Sequence, residues 1–385
     1  MAPATETFPE IPLFDLRLEP EDFEAVAEAL RSGWLTMGPR TAEFETAFAA
    51  QLGCRHAVAV SSCTAALHLA YLGAGVTPGD EVIVPSMTFV ATASAVVYCG
   101  ATPVFADILG PHDLSIDPAD VEARISERTK AVAVVHFAGY PAPVEELSAL
   151  CDRHGLALIE DSAHAPSASR AGKKLGTFGL AGAFSFFSNK ILSVGEGGLL
   201  ATDNDEVAAQ ARLLRSHAMT SGTWDRHRRR SDTYDVVGLG FNYRIDEPRA
   251  ALLLSRLSRM EADIDRRREL VRRYRRRLSS IGGISVPFRD EDVADSSCYV
   301  MPIMVVDPDR QDVLRDFLRE ERGIQTSLFY PPAHRFSAYR ERWGEISLPR
   351  TEDAADREIT IPLYPHLSDD ELDHVVTAID EGLRR

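Results

Sequence analysis

The sequence predicts an α/β protein: a large domain on a mostly parallel, seven-stranded sheet, followed by a smaller C-terminal α+β domain. Three observations lead there. From about residue 20 to 245, short apolar runs alternate with longer helical stretches, the pattern of a parallel sheet covered on both faces. A long amphipathic stretch follows, and composition shifts after it. At 385 residues the chain is long enough for two or three domains. We divide it into residues 1–250 and 251–385.

The strand-like runs are Ala57–Val60, Glu81–Pro85, Thr102–Ile108, Ala131–Phe137, Leu156–Glu160, Ala181–Phe187 and Gly197–Thr202. Helices are expected at Ala42–Gln51, Thr64–Leu72, Ala91–Cys99, Pro118–Ile125, Val144–His154 and Asp205–Arg215. A long helix then opens at Asp246 and Pro248, both helix-start signals. Leu253, Leu257, Met260, Ile264, Val271, Tyr274 and Leu278 carry it onward at three- and four-residue steps, broken by Arg267. Such a stripe reads as core or as an interdomain spine. Gly282, Gly283 and a run of acids mark Ser279–Ser297 as a linker or exposed loop. A strand at Tyr299–Val306, a helix at Arg310–Glu321 and a short strand near Gln325–Tyr330 come next. Ser368 and Glu371 have capping-box spacing and announce a closing helix.

Composition bounds the function. With 42 basic and 58 acidic side chains the net charge is −16, which disfavours phosphate backbones, so no nucleic-acid partner is expected. The basic cluster Arg266–Arg277 reads as a solvated helix face, and Arg226–Arg230 as a surface loop near Trp224, with contact to a substrate phosphate as its other reading. Five cysteines without CxxC spacing read as reduced residues, with neither a disulfide framework nor a metal site. The opening MAPATETFPEIPLFDL has no basic region followed by an apolar stretch, so no signal peptide is expected. The uncharged stretches His56–Gly79 and Phe89–Ala106 are interrupted by polar residues, Gly or Pro and read as buried elements, not membrane spans. A cytoplasmic location is expected.

Lysine occurs only at Lys130, Lys173, Lys174 and Lys190, so chemistry that needs a primary amine has few candidates. Lys190 follows an apolar strand and precedes Gly195-Glu-Gly-Gly198, and catalytic groups in open α/β sheets collect at strand ends. Burial there disfavours the ammonium and favours the amine that forms a Schiff base; taken alone, such a lysine also fits a structural role. Asp161 closes another apolar run in Ile159-Glu-Asp161-Ser-Ala-His164. A carboxylate there can bind a metal, act as a base or cap a helix. Beside a Schiff-base lysine its role sharpens, since pyridoxal phosphate works only while its ring nitrogen stays protonated. Ser61-Ser-Cys63-Thr64 leads into a helix, where backbone amides can cradle a phosphate or Ser can simply cap. Ser185 can add a hydroxyl. No GxGxxG or GxxxxGK[ST] pattern appears.

The order of these motifs resembles fold-type I pyridoxal-phosphate enzymes, and among them the DegT/StrS-type nucleotide-sugar aminotransferases. GWLTMGPRTAEFE, VIVPSMTFVAT, TPVFADI, VVHFAG, IEDSAHA, FSFFSNKILSVGEGG, GFNYRIDE and LFYPPAH carry the likeness over nearly the whole chain. It implies that Lys190 carries pyridoxal phosphate as a Schiff base and shuttles the proton. Asp161 would hold the pyridine nitrogen protonated, and His164 would sit at the ring hydroxyl. Phe89 would stack on the ring, with Ala163 on the opposite face. The Cys63 and Thr64 amides and Ser185 would hold the phosphate, reached by Asn242 from the neighbouring subunit of a homodimer with shared active sites. Tyr330 and His334 would contact the nucleotide-sugar. Cys63 stands where the family often has glycine, a harmless change if backbone amides do the binding. Lys190 counts against the family's dehydratases, which carry histidine there. His164 and His136-Phe-Ala-Gly139 lean towards amination at sugar carbon 4. The implied reaction converts a nucleotide-linked keto-sugar to an amino-sugar, with L-glutamate as donor, in sugar or natural-product biosynthesis. A cyclitol ketone as acceptor and a non-catalytic binding protein are the other readings.

Overall fold

The computed structural model describes residues 11–228 and 232–385; the first ten residues of the opening segment, and Arg229 and Arg230 of the first basic cluster, lie outside them. Seven strands form one sheet in the order His56–Val60, Gly198–Thr202, Ala181–Ser185, Ala157–Asp161, Thr129–Val135, Glu81–Pro85, Thr102–Ala106. Gly198–Thr202 runs antiparallel to both its neighbours, and the other pairings are parallel. Side chains alternate between two cores, as a strand's two-residue period requires. Val58 and Val60 pack on the side of Leu67 and Val207, whereas Ala57 and Ala59 join Phe44, Phe48, Phe184 and Phe186. A third cluster packs Val132 and Leu158 against Leu147 and Leu150 of the helix Val144–His154.

Several elements differ from expectation. The stretch from Asp246 to Leu278 is two helices, Glu247–Leu257 and Met260–Leu278. Between them Arg259 turns its guanidinium onto Asp22, 2.6 Å away and fully buried in the helix Pro20–Arg31, which the periodicity does not mark. The apolar stripe keeps its phase across the break, so pattern alone does not reveal it. Arg267 points inward: it is 5% exposed, and its Nη1 donates to the carbonyls of Tyr299 and Leu363 at 3.1 and 3.0 Å. The second basic cluster is therefore only in part a solvated face.

The run Thr102–Ile108 splits into Thr102–Ala106 and a hairpin of Ile108–Gly110 with Asp113–Ile116. The expected linker holds the short strand Ile284–Ser285 and a 3₁₀ turn at Glu291–Ala294. Ile284–Ser285, Met301–Val305 and Glu358–Ile361 make a three-stranded antiparallel sheet. Gln325–Tyr330 is no strand of it, and its pairing there is the single bridge Ser327 to Thr360. Among the described residues no helix is long and apolar enough to cross a membrane.

Candidate active site

The parallel strands all end on one edge of the large sheet, and the motif residues gather there because they follow strand ends. Register fixes two rows. Val135, Asp161 and Ala183 are direct partners in one, and Val60, Gly198 and Ser185 in the other. Above these rows opens a cavity of about 320 Å³, lined by Cys63, Thr64, Phe89, Asp161, Ala163, His164, Ser185, Lys190 and Tyr330, among others.

Asp161 is 5% exposed. One carboxylate oxygen accepts the Thr92 hydroxyl at 2.7 Å and the other the Ala163 N–H at 3.1 Å. Burial pushes its pKa up, while those hydrogen bonds and Lys190 pull it down. Lys190 Nζ lies 4.2 Å from the centre of the Tyr299 ring. Burial lowers its pKa to about 7 against the opposing pull of Asp161, so amine and ammonium are both populated at neutral pH.

His164 is buried and bonds the Tyr330 hydroxyl through Nε2 at 2.9 Å, while its Nδ1 has no partner among the described residues. Burial and the charge of Lys190 hold its pKa well below the usual imidazole value, so the ring is neutral. Burial likewise keeps the Tyr330 phenol and the Cys63 thiol protonated.

Ser62 caps the helix Cys63–Gly73. Its hydroxyl and carbonyl take the Ala65 and Ala66 N–H groups at 3.1 Å each. The Cys63 and Thr64 amides ahead of them are left without a backbone acceptor, and free N–H groups at a helix start attract anions. Gly198 lets the next strand close on this turn: a Cβ there would lie 2.3 Å from the Ser62 carbonyl carbon and 2.4 Å from the Cys63 nitrogen. The edge Ser185 sits beside it.

Two expected residues lie elsewhere. Asn242 is exposed on a loop bridged to Ser216, outside this chain's cavity. His334 is 2% exposed and does not line the cavity. Both its ring nitrogens are committed, Nδ1 to the Ser86 hydroxyl at 2.6 Å and Nε2 to Glu352 at 3.2 Å. Sequence reasoning missed Thr92 and Tyr299. Thr92 stands in VIVPSMTFVAT one helical turn after Thr88, a signal that was legible. Tyr299 reaches Lys190 only through tertiary folding.

This site suits pyridoxal phosphate: a lysine with an accessible amine, a buried carboxylate, an unpaired buried imidazole nitrogen and two free helix-start amides. The comparisons agree. The family model for the DegT/DnrJ/EryC1/StrS aminotransferases matches residues 17–380. The spore coat polysaccharide biosynthesis protein SpsC of Bacillus subtilis is 39% identical over 366 residues, 93% of either chain. The aminotransferase TlmJ of Streptoalloteichus hindustanus superposes with a TM-score of 0.90 at 36% identity, covering 97% of this chain and 99% of that one. NtdA of Bacillus subtilis, solved with bound PMP, gives a TM-score of 0.85 at 27% identity over 96% and 83% of the two chains. The chain belongs to the DegT/DnrJ/EryC1/StrS aminotransferase family and is a pyridoxal-phosphate-dependent sugar aminotransferase.

Proposed function

We propose that the enzyme aminates the ketone of a nucleotide-linked keto-sugar at carbon 4, with L-glutamate as amino donor, and that it works as a homodimer with shared active sites. The observation that carries the reading is the pairing of Lys190, its pKa near 7, with the buried Asp161 on one cavity. When bound, pyridoxal phosphate supplies the electron sink that lets an amino group move between carbons.

This chain's residues supply the rest. Lys190 Nζ, its pKa lowered by burial to about 7, takes up and returns a proton at one atom, the condition for efficient general acid–base work. Asp161, oriented by Thr92 and the Ala163 amide, places a negative charge where a protonated ring nitrogen is needed. Neutral His164, tethered to Tyr330, offers Nδ1 to a polar group of the ring. Phe89 is 57% exposed and presents an aromatic face for stacking, with Ala163 opposite. The Cys63 and Thr64 amides and the Ser185 hydroxyl hold the phosphate, with the partner subunit's Asn242 reaching the same group.

The carbon 4 assignment rests on His164 and the His136-Phe-Ala-Gly139 motif; His136 itself is buried and paired with Glu160 at 3.0 Å. Tyr234, Val236, Val237 and Leu239 are 50–95% exposed on the loop that carries Asn242, an apolar surface of the kind that meets another chain. The test is to incubate the holoenzyme with L-glutamate and a panel of nucleotide-linked 4-keto- and 3-keto-sugars, following 2-oxoglutarate and the product mass. A 4-amino sugar nucleotide is expected. Turnover of 3-keto-sugars alone, or of cyclitol ketones alone, overturns the acceptor assigned here.

A further inference from the structure

A second cavity, of about 380 Å³, borders Lys190 and is lined by the N-terminal segment Phe14–Arg17, the Ser188–Ile191 turn and the face of the two helices that carry Arg256 and Arg267. Its charge is unlike that of the rest of this −16 chain. Arg256 and Arg267 are 7% and 5% exposed. Neither has an ion pair within 4.0 Å among the described residues. Arg256 donates from Nη2 to the Ile191 carbonyl at 3.2 Å, and its buried Nε and Nη1 have no acceptor among the described residues. Arg267 spends Nη1 on two carbonyls and leaves Nε unpaired.

Two buried guanidiniums without a counter-ion are costly to hold in a fold. The neighbouring acids do not discharge them. Asp22, the acid whose charge acts most on Arg256, is already paired with Arg259 at 2.6 Å and takes the Ser255 hydroxyl. Asp15 is bound to His366 at 2.7 Å, Glu19 belongs to the capping box of the first helix, and the half-buried Asp263 acts on both guanidiniums only at longer range. At the rim, Arg259 and Arg266 are already paired with Asp22 and Glu269, and Arg17 approaches Asp15 at 3.8 Å. The catalytic cavity, in contrast, has among the described residues no arginine in its lining and Lys190 as its one cation.

We propose that this second cavity is a binding site for a small oxyanion, a carboxylate or phosphate group held by Arg256 and Arg267. Guanidinium geometry matches both, through paired N–H donors. A carboxylate would come from a dicarboxylate such as the amino donor, a phosphate from the inorganic ion or a phosphorylated metabolite. The site adds to the function proposed above without depending on which sugar is aminated.

The test measures binding of glutarate and of inorganic phosphate, neither of which is turned over, to the holoenzyme by calorimetry, together with the anion-dependent rise in melting temperature. Wild-type protein is expected to bind at least one of them. Arg256→Gln should weaken that binding at least about tenfold and abolish the anion-dependent rise. Without anion this variant should melt no lower than wild type, because an uncompensated buried charge is gone. A residue kept only for structure would show the reverse, lower stability with unchanged binding, and overturns the proposal. So does wild-type protein that responds to neither anion. Should Arg256→Gln fail to fold, Arg256→Lys keeps the charge but loses the planar fork; weaker binding in that variant supports the proposal, and unchanged binding overturns it. Tighter binding of glutarate assigns the site to a carboxylate, and tighter binding of phosphate to a phosphoryl group.

Discussion

In the function proposed above most of the chemistry turns on Lys190, and its ionisation is open to measurement. Burial drops its pKa from 10.5 to about 7. Below that value the apoprotein holds an ammonium that cannot attack, so labelling of Lys190 by an amine-specific reagent should rise with pH and level off above about 7. Between about 7 and 10.5 the unfolded chain binds the proton that the native state has lost, so this group makes apoprotein stability rise with pH there. Lys190→Ala should remove both effects and lower turnover at least about a thousandfold, with an unchanged circular dichroism spectrum. A labelling curve centred near 10 instead would mean that the amine is solvated and the site misread. Asp161→Asn is the companion test. Its carboxylate already sits where burial disfavours charge, so stability should change little while turnover falls at least about a hundredfold; normal kinetics in a protein that unfolds easily would contradict the role. Lys190 and Asp161 were legible because lysine is scarce, Asp161 closes an apolar strand and Lys190 follows one. Arg267 was visible as a flaw in a helical stripe, but the carbonyls of Tyr299 and Leu363 that draw it inward come from distant elements.

At the scale of elements, strands were legible and their ends decided the site. A buried parallel strand announces itself by an apolar run, and the groups that follow it land on one edge of the sheet. Helix boundaries set by a tertiary partner were not legible. The Arg259–Asp22 contact that divides the long helix joins residues 237 apart in sequence, beyond the reach of any local pattern. Glu358–Ile361 was hidden by its shortness, and Gln325–Tyr330 has strand-like composition without a continuous partner. The contact between Gly198 and the turn at Ser62 and Cys63 is the element junction with the clearest consequence. Gly198→Ala would set a Cβ 2.3 Å from backbone, so turn or strand must move by about an ångström to restore ordinary contact. The free Cys63 and Thr64 amides lose their aim. Retention of the cofactor through dialysis, read from visible absorbance, should weaken at least about tenfold, whereas the melting temperature of the apoprotein falls by only a few degrees. Full retention would show that the phosphate is held mainly by other groups.

For the whole molecule, the question is whether one chain makes a complete site. The cavity of a single chain contains Lys190 but not Asn242, which stands exposed beside the apolar run Val236–Leu239. Nothing in composition or periodicity says that this surface closes on a second copy; only the family resemblance raised that expectation. Mixing variants decides the matter. Suppose each site takes Lys190 from one subunit and Asn242 from the other. A dimer of one Lys190→Ala chain and one Asn242→Ala chain then has one site with both lesions and one with none. Random exchange makes half of the dimers mixed, so an equimolar mixture of the two crippled proteins should recover about a quarter of wild-type activity. If each chain instead completes its own site, every chain in the mixture keeps its own lesion. The mixture can then do no better than the mean of its parents, however long the subunits exchange. Recovery above that mean therefore requires a side chain to cross the interface, and it ties the exposed apolar loop to catalysis through Asn242.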